Sequence, residues 1–136
     1  MLDLSDWCVP STSRQLPQIH YAPIDSLKDI PRLVWKFLDA EGGIAGPGEP
    51  IDLTDFVHGH ARWRFVLGGV ASSFVLLLWE EDGIALRRQI AILQFDQAEV
   101  RMRFLGSGPA DARSLADVLR YLEERSVENV MRKYRY

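Results

Sequence analysis

Between residues 61 and 104 the large apolar residues recur with a period of two. Trp63, Phe65 and Leu67 alternate with Arg62, Arg64 and Val66, and Val100, Met102 and Phe104 alternate with Arg101 and Arg103. Successive side chains of a strand point to opposite faces, so this spacing predicts strands with one face turned to a core. Gly68-Gly69 reads as a two-residue turn into an apolar strand from Val70 to Trp79. Glu80-Glu81-Asp82-Gly83 reads as the next turn, Leu86 to Phe95 as a third strand, and Asp96-Gln97-Ala98 as the turn into a fourth. The expected sheet is a four-stranded antiparallel meander over residues 61–104.

On either side the period lengthens to that of a helix. Leu33, Val34, Phe37 and Leu38 give one apolar face, with Asp29 expected as the N-cap, Pro31 in the first turn and Gly42-Gly43 as the stop. Residues 42–50, GGIAGPGEP, are a loop by composition. After Gly106-Ser107-Gly108-Pro109, with Asp111 in the first turn, Leu115, Val118, Leu119 and Leu122 predict a second helix covering the core face. Val127, Val130, Met131 and Tyr134 continue at helical spacing but out of phase, which predicts a kink or a new short helix near Arg125-Ser126. Residues 1–24 carry Pro10, Pro17 and Pro23 without a sustained period and read as an irregular arm. The expected class is therefore α+β: one domain over 1–136, with an N-terminal helix and one or two C-terminal helices (109–134) packed on the meander.

Apolar matching sets the expected register, because a slip of one residue exchanges the two faces of a strand. Odd-numbered second and third loops gather Trp63, Phe65, Leu67, Phe74, Leu76, Leu78, Ile90, Ile92, Val100, Met102 and Phe104 on one face, the expected main core. Even loops would set Leu78 against Arg87 and Leu76 against Gln89. The other face then carries Val75, Leu77, Trp79, Ala91, Leu93 and Phe95 in its middle, with Arg62, Arg64, Arg101 and Arg103 on its outer strands and Arg87 near one end.

Composition narrows the class of partner. With 47% hydrophobic and 26% charged residues, the 136-residue chain has the balance of a protein with a packed core. The uncharged stretch from Phe65 to Trp79 is too short and too interrupted for a membrane span, and no secretory signal opens the chain, so a cytoplasmic setting with no membrane partner is expected. Cys8 is the single cysteine, which excludes an internal disulfide. Residues 1–60 hold nine acidic against four basic residues, while 61–136 hold twelve basic against ten acidic. A basic footprint of the kind nucleic acid selects is missing from the chain as a whole.

Few residues have the spacing of a chemical site. His58 and His60 would point the same way in an extended segment, with Asp55 near enough in sequence to be a third ligand, but a zinc-type site needs three or four ligands and a second shell. Histidines at the entry to an edge strand are the simpler reading, and neither a metal nor another cofactor is expected. Cys8, with His20 as its nearest candidate base, lacks the surroundings of a reactive thiol. Gly106-Ser107-Gly108 before a helix would offer N–H groups to an anion, yet it lacks a Walker lysine and Rossmann spacing. Glu80, Glu81 and Asp82 at a hairpin tip are solvated, the opposite of a tuned acid–base pair. No catalytic residue is expected.

The arginine-rimmed second face is the feature with the composition of a docking surface. The competing reading is that the first or last helix covers it, since three helical segments are available for two faces. From the open-face reading follows a non-catalytic protein-binding function, with a small bacterial immunity protein that occludes a partner toxin as its leading form. The expected contact residues are Arg62, Arg64, Trp79, Arg101 and Arg103, with Asp39, Glu41, Asp52 and Asp55 as docking charge for a basic toxin. The alternatives are an RNA-binding or ribonucleoprotein accessory module using the arginines, and a small metal-dependent enzyme at His58 and His60.

Overall fold

The computed structural model describes residues 19–51, 60–82 and 86–133. It is an α+β fold in three layers, with a helix on each side of a predominantly antiparallel sheet. The elements are β1 (Ala22–Ile24), a 3-10 turn (Leu27–Asp29), α1 (Arg32–Ala40), β2 (Ile44–Ala45), β3 (Trp63–Val70), β4 (Phe74–Asp82), β5 (Leu86–Phe95), β6 (Val100–Ser107) and α2 (Leu115–Lys133). The meander β3-β4-β5-β6 is present, and two short strands that the sequence reading lacked lie along the outer edge of β3. β1 pairs antiparallel with Gly68 to Val70, and β2 pairs parallel with Trp63 and Arg64. The sheet therefore has six strands among the described residues, where four were expected. β1 falls in what read as an irregular arm, and β2 inside the glycine-rich loop. Strands of two or three residues are too short to show a period, and they form here because β3 offers unpaired backbone groups.

The central register is the one apolar matching favours, with Leu76 opposite Ile92 and Leu78 opposite Ile90. The outer strands depart from it at two bulges. Between β3 and β4 the pairing steps from Phe65–Trp79 to Leu67–Leu78, leaving Val66 as the extra residue. Between β5 and β6 it steps from Ile92–Phe104 to Leu93–Met102, leaving Arg103 as the extra residue. A bulge reverses the alternation beyond it. Trp63, Phe65, Val100 and Met102 accordingly join Val75, Leu77, Trp79, Ala91 and Leu93, whereas Leu67 and Phe104 stay with Leu76, Leu78, Ile90 and Ile92.

Each face has its own helix. α1 lays Val34 and Leu38 on the first set, together with Ile30 and Ile44. α2 lays Leu115, Val118 and Leu122 on the second, as its spacing predicted. The turn from β3 to β4 is at residues 71–73, so Gly68 and Gly69 are strand residues and not a hairpin turn. Asp29 lies in the 3-10 turn, which Ser26 caps by accepting from the Lys28 N–H at 3.3 Å, and Pro31 takes the N-cap position of α1. Gly42 and Gly43 end α1 with φ of 126° and 88°, and the Gly43 N–H donates to the Leu38 carbonyl.

β6 continues through Gly106 and Ser107, so the Gly106-Ser107-Gly108 run does not sit at a helix N-terminus. α2 starts instead after Ser114, whose Oγ accepts from the Asp117 N–H at 3.2 Å, while Asp117 accepts from the Arg113 N–H at 3.0 Å. The pair resembles a capping box, with the N–H of Arg113 in place of the N-cap's own as the second donor. α2 is a single helix to Lys133, so the new short helix that was one of the two expectations near Arg125-Ser126 does not form. It contains neither proline nor glycine, so a change of apolar phase does not interrupt its backbone ladder.

The turn into β6 is closed by Asp96, whose carboxylate accepts from the Ala98 and Glu99 N–H groups at 2.7 and 2.9 Å. Those two bonds hold its pKa below the ordinary 3.8. A depressed folded value means that the turn is stabilised above pH 3.8 and that the contribution is lost as pH falls through the folded pKa. Asp96→Asn is expected to flatten the fall in stability on acidification below about pH 4, read from urea unfolding at stepped pH. An unchanged acid limb would show that the carboxylate contributes nothing there.

Candidate protein-docking surface

Four of the arginines expected near an open face pair with two glutamates of the same sheet, Arg62 and Arg87 with more than half of their side chains still exposed. On one side of β4, Glu80 takes Arg64 Nε at 2.9 Å and Arg88 Nε at 3.7 Å. On the other, Glu81 takes Arg62 Nε at 3.3 Å and Arg87 Nη2 at 3.5 Å. Register explains both ladders, because Arg64, Glu80 and Arg88 are cross-strand partners, as are Glu81 and Arg87. Glu80 and Glu81 are thus part-buried strand residues and not a solvated hairpin tip. Arg62 also donates to the Glu41 carbonyl and lies 4.8 Å from the Trp63 ring centroid, Arg64 donates to the Glu49 carbonyl, and Arg88 donates to the Ala112 carbonyl at 3.0 Å. The ladders tie the loop after α1 and the lead into α2 to the sheet.

The remaining two arginines do not join them. Arg101 pairs with Glu99 at 2.6 Å at the start of β6. Arg103, the bulge residue, is buried and donates to Gln94 Oε1 at 2.7 Å, so it is not available to a partner.

The apolar middle of the expected surface is closed. Val75, Leu77, Trp79, Ala91 and Leu93 are buried, and Trp79 has no exposed area. Trp79 stacks on Trp63 with ring centroids 4.3 Å apart and planes 20° from parallel, and its Nε1 donates to Gln89 Oε1 at 3.0 Å. The covering element is α1, so the competing reading of this face is the one the fold adopts. The same burial removes the aromatic platform that single-stranded RNA would need.

Of the acidic residues, Asp39 and Glu41 are exposed, as are Asp25, Asp29 and Glu49. Asp52 and Asp55 lie outside the described residues, as do His58 and Cys8. His60 is exposed, and no group of three or more His, Cys, Asp or Glu able to hold a metal ion occurs among the described residues. No described helix is long and apolar enough to cross a membrane.

What the sequence reading missed is the outside of α1. At about 100° per residue, Val34 and Leu38 define the buried stripe, Trp35 and Phe37 border it on opposite sides, and Arg32, Leu33, Lys36 and Asp39 point away from it. Trp35 is 37% exposed and Leu33 36%, both large for apolar residues of a packed helix. Asp39 follows Trp35 by one turn and shares its edge. The signal was legible, since a tryptophan out of phase with a helix's apolar stripe has no place in the core beneath it. No family model matches the chain, and comparison with curated proteins and with solved structures finds no match.

Trp35 and Asp39 thus set an exposed aromatic beside a carboxylate on one edge of α1. Tryptophan anchors are enriched among the few residues that dominate interface energies. Among the described residues, Asp25, Asp29, Asp39 and Glu41 stand exposed around α1 with no ion pair of their own. Three bases, Lys28, Arg32 and Lys36, share residues 25–41 with these four acids, a formal balance of −1.

Proposed function

We propose that this chain is a non-catalytic protein-binding domain that docks through the outer side of α1, as a cytoplasmic bacterial immunity protein would dock on a basic toxin to occlude its site. The observation that carries the reading is Trp35, part-exposed at the edge of the buried stripe of α1, with the exposed Asp39 one turn away. Binding of this type needs shape and charge complementarity and no catalytic group. Asp25, Asp29, Asp39 and Glu41 would speed encounter with a basic partner, and salt would slow it.

The test begins with capture from the native host by the parent chain, followed by binding kinetics with the purified partner. Trp35→Ala is expected to weaken binding by about 30-fold, the scale of a 2 kcal/mol anchor, mostly through faster dissociation. Asp39→Lys with Glu41→Lys is expected to slow association and reduce its salt dependence. Failure to capture a stoichiometric partner, or a partner held equally well by Trp35→Ala, would overturn the reading.

A further inference from the structure

β6 closes the sheet at the end away from β1, and no described strand pairs with its outer edge. Which groups stand on that edge follows from the pairing with β5. The Gly108 N–H donates to the Arg88 carbonyl at 2.9 Å, and Gly106 and Phe104 lie opposite Ile90 and Ile92. Backbone groups of an antiparallel strand turn alternately toward and away from a neighbour, so Leu105 and Ser107 direct their N–H and C=O outward. Both residues are exposed, Leu105 at 49%.

Proteins blunt such edges with charge, proline or a bulge, because a row of unpaired N–H and C=O groups is a template for another strand. On β6 those devices are confined to the first half, which holds Arg101 and the bulge at Arg103. Phe104 to Gly108 carries neither charge nor proline. The same stretch is self-complementary. In a twofold antiparallel pairing centred on Leu105, that leucine meets its counterpart in the second copy and Phe104 stands opposite Gly106. Gly106 already lends its space to an aromatic ring, since a Cβ there would lie 2.9 Å from Phe104 Cζ of its own strand. Bulky residues thus face bare ones on one side of the sheet, and two leucines meet on the other. A centre at Gly106 would set glycine against glycine and Leu105 against Ser107, and a centre at Arg103 would oppose two arginines.

We propose that two copies of this chain associate edge to edge through β6, antiparallel about Leu105, so that one sheet runs through both. A contact made by one strand edge falls at the low end of interface sizes, so the dimer is weak and forms only as concentration rises. The association uses a different element from α1 and does not rest on the docking function.

Sedimentation of the full chain is expected to pass from monomer to dimer between about 10 µM and 1 mM, the range of weak interfaces. In a sample mixed from isotope-labelled and unlabelled copies, intermolecular NOEs are expected between the Hα protons of Phe104 and Gly106, which a twofold at Leu105 brings together as a close, non-hydrogen-bonded pair. Leu105→Lys sets like charges opposite each other at the centre and is expected to weaken the dimer by about tenfold or more. Because Leu105 is half exposed, that variant is expected to keep the parent's urea midpoint. A chain that stays monomeric to the top of the concentration range, a dimer that Leu105→Lys leaves intact, or intermolecular NOEs that lie outside β6 or fix another centre would each overturn the proposal.

Discussion

Trp79→Ala is expected to unfold at far lower denaturant than the parent, losing about 3–5 kcal/mol. Trp79 has no exposed area, stacks on Trp63 and satisfies its indole N–H through Gln89. Alanine would leave a hole at the centre of the α1 side and strand the Gln89 carbonyl oxygen. Folds of this size have about 5–15 kcal/mol in all, so the loss approaches the whole margin. Trp35→Ala provides the internal comparison. Trp35 is the same residue type at the edge of α1, 37% exposed, and its truncation is expected to cost clearly less than that of Trp79, on the order of 1–2 kcal/mol. Urea unfolding of the two variants checks both halves of the statement. Equal costs would mean that α1 does not cover this face as described.

Gly68→Ala is expected to cost about 1–3 kcal/mol, at the upper end of that range. Its Cβ would lie 2.6 Å from the Leu76 carbonyl oxygen, 3.1 Å from Leu77 Cδ2 and 3.4 Å from Ile24 Cγ1. The nearest of these is backbone of the adjacent strand, which cannot swing aside as a side chain can. Either β3 and β4 part locally or β1 is displaced, and hydrogen exchange at Ala22 to Ile24 would report the second. Gly68 is absent from the glycines with positive φ, which among the described residues are Gly42, Gly43 and Gly48. The requirement at Gly68 is therefore space and not backbone freedom. An alanine variant as stable as the parent would favour a hairpin turn at this position over a paired strand.

The two substitutions probe the features that relocated the docking surface. An interface on the sheet needs an uncovered face, and this sheet has a helix on each side. The docking surface proposed above accordingly uses a covering helix, where Trp35 and Asp39 are exposed. The arginines of the sheet serve a different end. Arg62, Arg64, Arg87 and Arg88 share two glutamates and several carbonyls, and so bind the connecting segments to the strands.

Much of the fold was legible in the residues alone, because local periodicity depends only on which side of a strand or helix each position faces. The strand pattern over residues 61–104, the span of β5, the opposition of Leu76 to Ile92, the α1 stop at Gly42-Gly43 and the buried stripe of α2 follow from that rule. It fails where one residue more or less changes the count. The bulges at Val66 and Arg103 exchange the faces of Trp63, Phe65, Val100 and Met102, and nothing in a period of two marks a residue as extra. Pairing partners are likewise settled by distant chain. Gly68-Gly69 has the composition of a turn, and only Leu115, Tyr21 and β1 closing on β3 make it a strand. Whether a face is buried or open depends on which helix crosses it, a matter of three-dimensional packing that the order of residues along one strand does not encode.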